Sequence, residues 1–241
     1  ARDLTSLAAD FPASRAYAVA PAPSMTLAQP VPTVQIAAVV LVTRLEHRLV
    51  DALQALADQT RPADALVILD ASARGEVADR LAESADFRAT LPTLTIQRVD
   101  ADDPAWADPT AAAQQALRLA ADRGPEAGAW WVLTGECVPA TDALEQLAIL
   151  LDRDPSAAQV APKLSDAERP GRLRRFGIQV TRSGRLQLAP RPGTPDQQQF
   201  DDRQDALAAP VLASLIRAAG YADLQGQSHR FGALGNDLDL G

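Results

Sequence analysis

Val34-Gln-Ile-Ala-Ala-Val-Val-Leu-Val42 and Ala65-Leu-Val-Ile-Leu-Asp70, separated by leucines at 45, 49, 53 and 56, decide the reading of the fold. The first run is apolar and β-branched, too short to cross a membrane, and predicts a strand covered on both faces. The leucines recur at helical spacing and predict a helix that ends before Arg61-Pro62. The second run predicts another buried strand, closing a β-α-β unit at Asp70.

The same alternation continues outward. A short helix is expected over Glu76 to Ser84, and a strand over Leu94 to Val99 leads to Asp100. Asp108-Pro109 reads as a cap and first-turn pair for a helix running to Arg123, stopped at Gly124-Pro125. Trp130-Trp-Val-Leu-Thr134 predicts a fourth strand, its two tryptophans facing opposite sides. Asp142 and Glu145 are spaced like a capping box for the next helix. Strands and helices in this order imply an α/β fold, a mainly parallel sheet with helices on both faces. Ligands in such sheets sit beyond the carboxyl ends of the strands, so Thr43, Asp70, Asp100 and Glu136 are the polar residues of interest.

The flanks read differently. Residues 1–33, rich in Ala and Pro, are expected to be a tail or linker. Beyond Leu151, Ala158 to Leu164 predicts a strand, Arg175 to Leu188 a hairpin turning at Ser183-Gly184, and Ala206 to Ala219 a last helix.

Composition narrows the function classes. The chain has 241 residues, 47% hydrophobic and 22% charged, which suits a packed domain rather than a disordered one. Its net charge of -8 opposes non-specific binding to nucleic acid, which needs a positive surface to displace counterions. A single cysteine, Cys137, excludes a disulfide framework and a cysteine zinc site, and fits a reducing compartment. No apolar run reaches the length of a membrane span and no signal peptide is visible, so any membrane association is expected through regions outside this segment. There is no G-x-G-x-x-G after the first strand and no P-loop.

Five stretches in order carry a resemblance to family 2 glycosyltransferases of the GT-A (nucleotide-diphospho-sugar transferase) fold, in an actinobacterial-looking branch. The strand and leucine helix ending in Gln59-Thr-Arg-Pro62 resemble the family's first unit, whose helix ends Q-T-x-P. Asp70-Ala-Ser-Ala-Arg-Gly75 is similar to the family's second strand end, normally D-D-G-S or D-T-G-S. Thr134-Gly-Glu136 lies where the D-x-D-type motif belongs. Ala161-Pro-Lys-Leu-Ser-Asp166 with the hairpin looks like the family's G-P-K-L segment. Ala218-Ala-Gly-Tyr221 and Gly235-Asn-Asp-Leu-Asp-Leu-Gly241 resemble the G-G-F acceptor segment and the E-D-V-D-x-G catalytic segment. The match covers residues 34–241, taken as one GT-A-like domain, Rossmann-like in its sheet, of a protein expected to continue past Gly241.

The resemblance implies the site. Asp70, with Thr43, would contact the nucleotide, Glu136 a divalent cation (Mn or Mg), and Asp237 would be the catalytic base, with Asp239 a further acidic match. It implies a nucleotide-sugar donor, a saccharide or lipid-linked acceptor, inversion at the anomeric carbon, and synthesis of cell-envelope or surface polysaccharide. That work would be cytoplasmic, at the inner face of the membrane within a larger protein. The chain departs from the pattern after Asp70, where the usual D-G-S is lost, and at three further places. Thr134 and Gly135 stand where carboxylates are usual, and Asn236 replaces a Glu. Two readings therefore stay open, an active transferase and a catalytically degenerate GT-A-like domain serving as a structural or interaction module. A nucleotidyltransferase ranks below both, because Val42-Thr-Arg-Leu-Glu-His47 lacks the required glycine run.

Other candidates have plainer explanations. His229 in a polar loop and His47 on the first helix read as surface residues rather than ligands. Cys137 reads as a buried, inert thiol. Arg169, Arg172, Arg174 and Arg175 could attract a diphosphate or an anionic surface, or simply be solvated at the foot of the hairpin.

Overall fold

Ile36–Val42 lies at the centre of the computed structural model, and every one of its residues is buried, as a strand covered on both faces must be. The structure describes residues 17–19, 34–43, 47–83, 94–175, 177–180, 183, 186–201 and 209–223. In chain order the strands are β1 Tyr17–Val19, β2 Ile36–Val42, β3 Ala65–Asp70, β4 Leu94–Arg98, β5 Ala129–Thr134, β6 Cys137–Val138 and β7 Gln159–Val160. They continue with β8 Leu164–Asp166, β9 Arg172–Arg175, β10 Gly177–Val180, β11 Leu186–Ala189, β12 Thr194–Pro195 and β13 Leu215–Arg217. The helices are α1 His47–Ala57, α2 Glu76–Glu83, α3 Pro109–Arg123, α4 Ala143–Arg153 and α5 Ala218–Asp223.

The larger sheet runs β4-β3-β2-β5-β13-β7. Its first four strands are parallel, whereas β13 is antiparallel to both β5 and β7. Chain order moves outward from β2 through β3 to β4, then returns to the other side of β2 with β5. The topological switch point therefore falls between β2 and β5. Leu41, Ile68, Leu69, Trp131, Leu117, Leu144 and Leu151 are fully buried around this sheet, each Leu or Ile contributing roughly 1.5–3 kcal/mol.

Local chemistry accounts for the helices. The Asp108 carboxylate accepts from the Ala111 N–H at 2.9 Å, so the expected Asp-Pro start of α3 forms. α3 then packs on β2 and β5. The expected capping box at α4 does not form, and Asp142 makes no side-chain cap. Gln59, just past α1, takes its place. Its Oε1 accepts from the Leu144 N–H at 3.0 Å, while its Nε2 donates to the carbonyls of Ala55 and Ala140 at 2.9 and 2.7 Å. Glu145 turns outward to accept from the Thr60 hydroxyl at 2.6 Å. The Gln59-Thr60 turn thus ties the end of α1 to the start of α4.

Three further expectations differ from the structure. Residues 206–219 are not one helix. Of that range 206–208 lie outside the described residues, Leu215–Arg217 is β13, and the helix begins only at Ala218. Leu215 and Ile216 pair with Trp131 and Trp130, where burial on both faces overrides a spacing compatible with a helix. The strand expected over 158–164 divides in two at Ala161-Pro162-Lys163, because a proline cannot donate into a ladder. Within the stretch expected as a tail, Tyr17–Val19 is a strand. It sits in the smaller sheet, ordered β12-β9-β8-β1-β6. The hairpin forms as β10 and β11.

Candidate functional site

Because β2, β3, β4 and β5 are parallel, their carboxyl ends share one edge. Register pairs Val42 with Asp70, Asp70 with Arg98, and Leu41 with Thr134. Thr43 follows β2 and is exposed, and the Gly135-Glu136 turn follows β5. The two flank the switch point, and the Gly135 N–H donates to the Leu41 carbonyl at 2.8 Å, holding the turn against β2.

Asp70 ends β3 at 1% exposure. One carboxylate oxygen accepts from the Ser72 N–H at 2.9 Å and the Ser72 hydroxyl at 2.5 Å, and the other accepts from the Ala78 N–H at 2.7 Å. The Ser72 hydroxyl in turn accepts from the Val77 N–H at 3.3 Å. Both oxygens are thereby engaged on the turn and first residues of α2, where a helix N-terminus welcomes negative charge. Gly75 completes the turn at φ +73, a conformation that suits glycine.

The turn after β5 is built otherwise. A Cβ placed on Gly135 would lie 3.3 Å from Leu49 Cδ1 and 3.5 Å from Val42 Cγ2, so this position faces the packing between α1 and β2. Glu136 is half-buried. Cys137 is fully packed, and its thiol lies 3.4 Å from the Thr134 hydroxyl. Burial pushes the thiol's pKa up, Thr134 opposes that shift, and the Glu136 charge adds to it, so the thiol stays protonated and inert.

A hard divalent cation wants about six oxygen ligands. Among the described residues no three His, Cys, Asp or Glu side chains gather, and Gly135 offers apolar surface where a carboxylate would be needed. The residues present in the described part do not fit a metal site. Asp237, Asp239 and His229 lie outside the described residues. Asp100 is exposed and holds its own turn, accepting from the Asp102 N–H at 3.0 Å.

Lys163, inside the Ala161-Pro-Lys-Leu segment, is a residue the sequence alone did not single out. Its side chain is 10% exposed, and its ammonium bridges Asp196 at 3.1 Å and Asp201, which fastens the 196–201 loop beside β8 and β9. Burial lowers its pKa, but the hydrogen bonds and charges of both aspartates outweigh this and raise it overall. Of the arginines in the basic run, Arg169 and Arg174 face Asp166 at 3.5 and 3.9 Å, and Arg172 donates to the Gly193 carbonyl at 2.7 Å. Trp131 is buried and donates to the Ala213 carbonyl at 3.0 Å, while Trp130 meets Tyr221 edge-to-face at 5.9 Å. The tryptophans therefore act in packing. The Ala218-to-Tyr221 segment abuts them, with Gly220 close to Ala158.

No protein-family model matches the chain, and no curated protein matches it. Solved structures do. The TarS 1–349 structure from S. aureus aligns with a TM-score of 0.55 at 13% identity, over 86% of this chain and 54% of that one. GalNAc-T7 with UDP, GalNAc and Mn2+ aligns at 0.54 and 13%, over 81% and 37%. The mannosyltransferase PcManGT of Pyrobaculum calidifontis, with GDP-Man and Mn2+, aligns at 0.52 and 15%, over 90% and 53%. The chain thus spans about half, or less, of the structures it resembles. It has their α/β fold, the GT-A glycosyltransferase fold. Among the described residues no helix is long and apolar enough to cross a membrane.

Proposed function

We propose that this chain is the GT-A domain of a family 2 glycosyltransferase, from the actinobacterial-looking branch, which moves a sugar from a nucleotide-diphospho-sugar to an acceptor hydroxyl. The observation that carries the reading is the switch point between β2 and β5, flanked by Thr43 and the Thr134-Gly135-Glu136 turn. Some solved structures of the same fold were determined with a nucleotide or nucleotide-sugar, GalNAc-T7 with UDP, PcManGT with GDP-Man and a second TarS 1–349 structure with UDP-GlcNAc, which supports a donor of that class.

In this reading residues 34–241 form one catalytic domain of a longer protein. Thr43 and the turn carried by Asp70 line the nucleotide end, and Asp237 removes the acceptor's proton as the hydroxyl attacks the anomeric carbon with inversion. The acceptor is a saccharide or lipid-linked glycan of the cell envelope, and the reaction takes place at the inner face of the membrane. The leaving diphosphate gains negative charge that must be compensated. Glu136 alone would repel it, so the sign of the Glu136 effect reports how that charge is met. If a cation arrives with the donor phosphates, Glu136→Ala weakens binding in Mn2+. If none does, the same change strengthens binding in EDTA.

A second reading rests on two specific observations, the inward-turned carboxylate of Asp70 and the absence of a metal-ligand cluster among the described residues. Under it the domain is a catalytically degenerate module. Calorimetric titration with UDP, GDP and dTDP, each with and without Mn2+, separates the two. Binding of at least one nucleotide supports the transferase, and binding of none overturns it in favour of the module.

A further inference from the structure

β6 is two residues long and begins one residue after Glu136, and its one strand partner among the described residues is β1. Tyr17 pairs with Cys137 and Ala18 with Val138 in parallel, while on its other side β1 pairs antiparallel with β8, Tyr17 to Asp166, Ala18 to Ser165 and Val19 to Leu164. β6 emerges directly from β5, and β8 follows β7, so both neighbours of β1 are segments leaving the larger sheet. β1 itself comes from more than a hundred residues away in sequence. It is the piece that joins them.

We propose that the gap between β6 and β8 is a strand-accepting slot for an extended peptide, filled in cis by Tyr17–Val19. Through it, the N-terminal segment controls the order of the turn carrying Glu136. Recognition is by main-chain hydrogen bonds, as when a peptide adds a strand to a sheet. Pro139 has no N–H to give, so the register directs the Val138 N–H and the carbonyls of Glu136 and Val138 at β1, and without an occupant these half-buried groups would lose those partners. The turn would then lose the ladder that fixes its far end. Covalent linkage favours the cis occupant by supplying an effective concentration on the order of millimolar, so the same peptide in trans must be given at that level.

The test is hydrogen exchange on the whole chain bearing Ala18→Pro, since a proline there removes the amide that pairs with β8 and is not tolerated in the middle of a sheet. Its readout contains no nucleotide, so it stands or falls separately from the transferase reading. The proposal expects the amides of Val138 and Ser165, which the register directs at β1, to exchange at least about tenfold faster, with those of β2 and β3 unchanged. Adding a peptide of residues 14–22 should restore their protection. Unchanged exchange at these amides would show that β1 is no occupant. Loss of protection throughout β2 and β3 would show an integral strand rather than an exchangeable one. Local loss that the peptide does not reverse would rule out a slot.

Discussion

Two strand ends at the same sheet edge, those of β3 and β5, carry the residues that the family resemblance marks as acidic, and they use them in opposite ways. At β3 the Asp70 carboxylate is buried and holds Ser72 and Ala78 through both oxygens. At β5 the backbone does the holding, through the Gly135 N–H on Leu41, and the middle side chain is reduced to a hydrogen against Leu49 and Val42. An acidic residue at a strand end can thus belong to the fold or to the site. What decides is where its oxygens go, not its place in a motif.

The difference can be broken experimentally. Asp70→Ala removes three hydrogen bonds to a buried carboxylate and leaves their donors unmet, so it should cost about 3 kcal/mol in a urea melt. A loss below about 1 kcal/mol would show that the carboxylate is not structural. Gly135→Asp should cost about 2 kcal/mol, because the new side chain starts against Leu49 and Val42. It should also give no Mn2+ binding by electron paramagnetic resonance, whereas a tight Mn2+ signal would show that one substitution rebuilds a metal site. Glu136→Gln should be the mildest, within about 0.5 kcal/mol in stability, since it keeps the shape of a half-buried side chain. Its effect should appear in nucleotide affinity instead. A stability loss as large as that of Asp70→Ala would erase the contrast between the two ends.

Much of the fold was legible in the residues. Two-sided burial writes itself as the β-branched run of β2, and Asp108-Pro109 states a helix start that the hydrogen bond to Ala111 bears out. Long-range pairing was not legible. Leu215 and Ile216 have a spacing that fits either period, and their partners Trp131 and Trp130 are more than eighty residues away. Tyr17–Val19 looks like linker because what makes it a strand is β6 and β8. Asp142 and Glu145 fit a capping-box pattern, yet Gln59 reaches α4 first from another element. At the candidate site the sequence identifies Asp70 and Glu136 but not the direction of the Asp70 side chain, which depends on a turn closed by Ser72 and Gly75.

We propose that a nucleoside diphosphate binds beyond the carboxyl ends of β2 and β5, at the switch point. Hydrogen exchange of the whole chain with saturating UDP, GDP or dTDP, with and without Mn2+, tests it most directly. The account predicts slowed exchange at Thr43 and at Gly135 through Val138 with one of these nucleotides, and none along β7 and β13. Unchanged exchange at Thr43 and Gly135 with all three nucleotides in both conditions would contradict it.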